Sequence, residues 1–229
     1  MFSNCWSLHH SQGDSAAALF RPVGVNELGL IYDTHMRAFP PRLPEQPIFY
    51  PVTNFGYAAT IARDWNTKRE AGIGYVTRFT VDPDYASRFE KHTVGGREHE
   101  ELWVPAEQLP EFNRKLVGPI EVVAAFFAPN PQGAVPTRFM LHGRSATEQL
   151  VALDNMREHL PMDFHLEIQT NHRAVWLNYP HWLLSRFDAQ VLSEDRRAAC
   201  VAAVREHWSH ANPALPRLDE IASATTASS

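Results

Sequence analysis

The sequence predicts an α+β fold, and three observations lead there. Runs of strand length, alternating or uniformly apolar and bounded by Pro, Gly or Asn, recur through residues 17–128. Short segments with capping residues and apolar side chains at helical spacing lie between them. A Pro-rich break at 129–136 then separates this part from a smaller one, which reads as α+β or mainly helical.

The elements follow in chain order. Leu19-Phe-Arg-Pro-Val23 is a short apolar run before Asn26, a capping residue for a helix carrying Leu28, Ile31, Tyr32 and His35. Phe39-Pro-Pro-Arg-Leu-Pro44 must be extended or turned, because each proline disfavours helix in the residue before it. Ile48-Phe-Tyr-Pro-Val52 reads as a strand that Pro51 places at an edge or an end. Asn54 then caps a helix with Tyr57, Ile61, Ala62 and Trp65 on one face. Gly74-Tyr-Val-Thr-Arg-Phe-Thr-Val81 alternates cleanly, as a strand should. Glu101-Leu-Trp-Val-Pro105 is a further strand, and its proline can open a helix running to Leu116. Pro119-Ile-Glu-Val-Val-Ala-Ala-Phe-Phe127 is apolar enough to be a central strand.

In the second part, Ser145 and Glu148 form a capping-box pattern ahead of Leu150, Leu153, Met156 and Leu160. Phe164-His-Leu-Glu-Ile168 and Ala174-Val-Trp-Leu-Asn-Tyr179 flank a polar loop and read as a hairpin. Ser193, with Glu194 and Asp195 behind it, starts a helix to about His210. The organisation expected is a disordered tail at 1–16, a domain at 17–128, a linker at 129–136, an accessory domain at 137–221 and a tail at 222–229.

Composition excludes several classes of function. A net charge of −5 argues against a mainly electrostatic nucleic-acid or anionic-membrane binder. Cys5 and Cys200 lie in unlike surroundings without CxxC spacing, so neither a disulfide framework nor a thiolate metal site is suggested. No stretch of eighteen apolar residues occurs, so no membrane span is expected. Met1 to Asp14 lacks a basic region followed by an apolar core, so a cytoplasmic location is expected.

The chemistry-bearing segment is Gly95-Gly-Arg-Glu-His-Glu-Glu-Leu-Trp-Val-Pro105. Two glycines permit a sharp turn, and carboxylates then sit directly before an apolar strand. Glu100 and Glu101 point to opposite faces if both lie in that strand, so one can face a cleft. The same pattern also suits a polar loop that merely feeds a strand.

Glu101-Leu-Trp-Val resembles the glutamate-bearing strand of the ADP-ribosyltransferase superfamily. Phe20-Arg-Pro-Val-Gly resembles the first strand of that fold in its arginine-bearing version. Ile48-Phe-Tyr-Pro-Val-Thr-Asn, with the helix after it, resembles the second motif, where a tyrosine or serine lines the nicotinamide pocket. Residues 19–127 as a whole also resemble short bacterial proteins with ADP-ribosylation-type labels.

The resemblance implies a mixed or antiparallel split sheet with short helices, and NAD as substrate. Arg21 would contact its phosphates or ribose with a planar charged fork. Tyr50 and Tyr57 would stack on nicotinamide, with Asn54 in the same cofactor-binding set. Glu101 would hold the nicotinamide-side ribose and stabilise positive charge on the departing sugar. ADP-ribose would pass to a protein or nucleic-acid acceptor, or to water. The sequence departs from the pattern in two places: Tyr50-Pro-Val-Thr53 replaces the serine-threonine-serine motif, and His99 stands where many toxins carry Glu or Gln.

Other constellations are weaker. His92, His99 and Glu100, and separately Glu206, His207 and His210, are close in sequence without matching HExxH, so no metal is expected. Ser145 has no GxSxG setting. Trp176, Tyr179 and Trp182 suit a core or an interface. The rival function is a non-catalytic binding or interaction protein, including a toxin–immunity partner, that keeps only the scaffold.

Overall fold

Alternation along the first strand puts Leu19, Arg21 and Val23 on one side and Phe20 and Pro22 on the other, and the remaining elements are arranged around those two faces. The computed structural model describes residues 18–218 except Glu70, Gly95, Arg97, Glu98, Asn212 and Pro213. The expected tails at 1–16 and 222–229, Cys5 and most of the Gly95–Glu98 turn lie outside the described residues.

The first half runs β1 (Ala18–Gly24), α1 (Val25–Asp33), β2 (Ile48–Phe49), α2 (Phe55–Asp64), β3 (Ile73–Thr80), α3 (Pro83–Ala86), β4 (Lys91–Thr93), β5 (Glu100–Leu102), β6 (Val104–Pro105), α4 (Leu109–Arg114) and β7 (Glu121–Phe127). The second half is helical: α5 (Ala146–His159), α6 (Pro161–Thr170), α7 (His172–Leu184) and α8 (Glu194–Ala211). The α+β class therefore holds.

The strands form an antiparallel sheet in the order β1-β3-β7. Single bridges at Val52 extend it, because Val52 pairs with Phe20 of β1 on one side and with Glu101 of β5 on the other. β5 then pairs with β4, and β2 with β6. β7, expected to be central, lies at the edge of the three-stranded sheet. Its apolar sequence is explained by cover on both faces: Ala124 packs under α2, while Val122 and Ala125 join the main core on the other side.

α2 starts at Asn54, whose side chain accepts the Tyr57 N–H at 3.0 Å, the expected cap. Ala58 and Ala62 face Val52, Val76 and Ala124, so the helix lies very close to the sheet. A Cβ at Gly74 would come within 2.0 Å of the Ala62 carbonyl oxygen, which explains the glycine in an otherwise regular strand. Trp65, expected on the buried face, is exposed at the helix end. α1 is capped at Gly24, two residues before the expected Asn26.

The hairpin expected over 164–168 and 174–179 is instead a pair of helices, α6 and α7. The nine residues Ala174–Trp182 are all buried, so no polar stripe exists to reveal a helical period. α6 begins with Pro161 in its first turn and buries Phe164, Glu167 and Ile168, an i, i+3, i+4 set. The capping box at Ser145 and Glu148 and the helix after Ser193 are present as expected.

One apolar cluster runs through both halves, from Leu19 to Leu218. The Tyr32 and Trp176 rings lie 4.9 Å apart between α1 and α7, and the Tyr75 hydroxyl of β3 donates to the Leu177 carbonyl at 2.5 Å. The Pro-rich stretch 129–136 is bound between the halves: Gly133 N–H donates to Ala71, and the Asn178 and Gln149 amides both donate to the Ala134 carbonyl. Gly133 has φ +68° and lies against Asn178, where a Cβ would be 2.3 Å from the amide oxygen.

Candidate functional site

The bridges at Val52 decide which side chains share a face. Directly paired residues in antiparallel strands point the same way, so Phe20, Val52, Glu101 and His92 lie on the α2 side. Tyr57 comes to the same place from the first turn of α2, held there by the Asn54 cap. Its hydroxyl donates to Glu101 Oε1 at 2.8 Å. Burial, and then Glu101 itself, push the Tyr57 phenol up to about 12, so it stays a donor at neutral pH.

Two ring stacks flank this pair. His99 lies over the Tyr57 ring at 4.1 Å and 13°. His92 stacks on Trp103 at 4.0 Å, and Tyr50 meets Trp103 edge-on at 5.7 Å. Tyr50 and Trp103 are both exposed, and His92, His99 and Glu101 are half-buried, so the surface is accessible. Among the described residues, Tyr57 is the one side-chain hydrogen-bond partner of Glu101. Glu100 points elsewhere and pairs with Lys91 at 3.3 Å.

Arg21 lies on the opposite side of the sheet. Its Nε donates to Glu27 of α1 at 2.7 Å and its Nη1 to the Tyr50 carbonyl at 3.3 Å. The guanidinium also covers the Phe49 ring at 4.5 Å. Of the five residues singled out from sequence, the structure thus brings Tyr57 and Glu101 together and uses Asn54 to position Tyr57. It leaves Tyr50 on the rim and turns Arg21 away. A surface depression lined by Ala18, Arg78, Phe79, Thr80, Val117, Pro119 and Glu121 contains none of the five.

Sequence reasoning named His92 as a metal candidate, and His99 both as one and as a departure from the toxin pattern, and missed their stacking. The signal was available: His99, Glu101 and Trp103 alternate, so a strand through them places all three on one face. Among the described residues no group of three His, Cys, Asp or Glu side chains is arranged to hold a metal ion. Nor, among them, is any helix long and apolar enough to cross a membrane.

The arrangement offers a carboxylate fixed by one phenol, with flat aromatic surfaces on both sides. Such a surface suits a ligand carrying a ring and hydroxyl groups. No family model, curated protein or solved structure matches the chain.

Proposed function

We propose that the Glu101 face binds NAD and that the protein cleaves its nicotinamide–ribose bond in the cytoplasm, passing ADP-ribose to a protein or nucleic-acid acceptor or to water. The observation that carries this reading is the Tyr57–Glu101 hydrogen bond between two stacked ring pairs. Tyr57 fixes one carboxylate oxygen, and the other is available to accept from a ribose hydroxyl. As the bond from ribose C1′ to the ring nitrogen breaks, its electron pair leaves with nicotinamide and positive charge develops on the sugar. A carboxylate held without reorganisation stabilises that charge. The acceptor oxygen or nitrogen then bonds to C1′ and gives up its proton to solvent. Arg21 takes no part, because it lies on the far face, where its Nε and Nη1 are engaged by Glu27 and the Tyr50 carbonyl.

Nicotinamide release by the purified chain tests the reading. Glu101→Gln should lower the rate by roughly a hundredfold or more, the scale of losing one transition-state electrostatic partner. Glu100→Gln, on the Lys91 side, should leave it unchanged. No release together with no heat of NAD binding would overturn the proposal. The second reading, a non-catalytic interaction protein, is favoured by one observation: the arginine expected to hold the cofactor is already occupied by Glu27 and Tyr50.

A further inference from the structure

Arg42 lies in the Pro-rich stretch between α1 and β2, beside Arg21 and Glu27. Arg21 takes Glu27 Oε1 at 2.7 Å, and Arg42 Nη1 is left 3.8 Å from the same oxygen, beyond hydrogen-bond range. Arg42 Nη2 donates to Gln46 at 2.6 Å, but its Nε is buried and has no hydrogen-bond partner among the described residues.

Two guanidinium groups therefore share one carboxylate where the arginine side chains are only 9% and 12% exposed. One positive charge is left in excess. An uncompensated buried charge is strongly destabilising, and a buried donor without an acceptor adds to that cost. General basicity does not account for it, since the chain carries a net charge of −5. Burial, and then the Arg21 charge, pull the Arg42 guanidinium below its ordinary value, while Glu27 opposes them. Arg21 is engaged through Nε, Nη1 and its face on Phe49, whereas among the described residues the buried guanidinium nitrogen of this pair without a partner is Arg42 Nε. The Glu27 side chain beside the two arginines keeps 24% of its surface exposed.

We propose that Arg42 anchors an oxyanion site, on the face of the sheet opposite Glu101, for a small ligand bearing a phosphate or carboxylate group. The planar fork of an arginine suits either group, and an oxyanion would supply both the missing charge and an acceptor near Nε. Glu27, drawn toward Arg21, leaves that position to the ligand. The site stands apart from the chemistry at Glu101.

Calorimetry on the full chain at low ionic strength, with pyrophosphate and separately citrate, tests this. Saturable one-to-one binding is expected, with the stronger anion naming the ligand class. Arg42→Gln should weaken it by about tenfold or more, the loss of a charge-assisted pair. Arg63→Gln, which removes an exposed guanidinium paired with Asp64, should not. On the unaltered protein, phenylglyoxal should modify Arg42 several-fold more slowly with the anion present, read by peptide mass spectrometry. That readout decides the matter if Arg42→Gln does not fold. Absence of saturable binding of either anion, equal binding by a folded Arg42→Gln, or an unprotected Arg42 would each overturn the assignment.

Discussion

Acidification should remove about 3 kcal/mol of stability through His181 alone. The imidazole is 4% exposed and lies between the rings of Phe127 and Phe187, at 5.2 and 5.3 Å. Its nitrogens meet only hydroxyls, Ser185 Oγ at 2.7 Å and Thr147 Oγ1 at 3.3 Å. Burial accordingly lowers its pKa from 6.5 to about 4. An unfolded chain takes up the proton below about 6.5, whereas the folded one does not until about 4. The contribution is therefore fully present above pH 6.5, declines as the pH falls, and is exhausted near pH 4. That interval is about two and a half pH units at about 1.4 kcal/mol each. Burial also lowers His172 and His207, so the comparison must be with His181→Gln, which cannot titrate. Urea unfolding between pH 7.5 and 4 should give a steeper loss for the wild type than for the variant, by about 1.4 kcal/mol per unit near pH 5. Equal slopes would refute the claim that the ring is held neutral by burial, whatever the variant does to stability at pH 7.

Two further perturbations probe how the Glu101 face is built. Gly74→Ala would drive a methyl group against the Ala62 carbonyl oxygen, 2.0 Å away, and should cost about 1–3 kcal/mol as α2 is pushed outward. Its urea midpoint should fall, and an unchanged midpoint would contradict the close approach of helix and strand. Asn54→Ala removes the acceptor for the Tyr57 N–H and should cost about 1 kcal/mol, while Asn54→Asp should be nearly neutral. Equal losses in both variants would show that the side chain acts by something other than capping.

What was legible in the sequence was mostly local. The Gly74–Val81 strand, the Asn54 cap and the Ser145–Glu148 box each rest on a few neighbouring residues whose own chemistry sets the backbone, and each is present. α7 was illegible for the opposite reason. Its identity depends on being enclosed on all sides, and a run such as Ala174–Trp182, in which even Asn178 and His181 are buried, has no exposed polar stripe to read. Tyr57 and Glu101 were both named from sequence, but their contact spans 44 positions. It depends on Val52 bridging β1 to β5, an interaction of one residue that no run of sequence announces.

The separation of Arg21 from Glu101 follows from the same bridge and is firmly set. Phe20 and Val52 exchange both backbone hydrogen bonds at 2.8 Å, Leu102 N–H donates to Pro51 at 2.8 Å, and Thr53 N–H donates to Glu100 at 3.1 Å. β1 is also paired with β3 along its whole length, from Ala18 opposite Thr80 to Gly24 opposite Gly74. Bringing Arg21 to the Glu101 side would require a slip of one residue, and side-chain period two would then reverse every residue of β1. Leu19 and Val23, 4% and 1% exposed in the main core, would move to the α2 face, and Phe20 would have to replace Arg21 beside Glu27. Burying one such aliphatic side chain is worth about 1.5–3 kcal/mol, so removing two from the main core while parting Glu27 from Arg21 strongly disfavours the slipped register. The sheet therefore presents two chemically different faces, a carboxylate among aromatic rings and an arginine pair short of one negative charge. Any influence of Arg21 on chemistry at Glu101 has to pass through the strand between them.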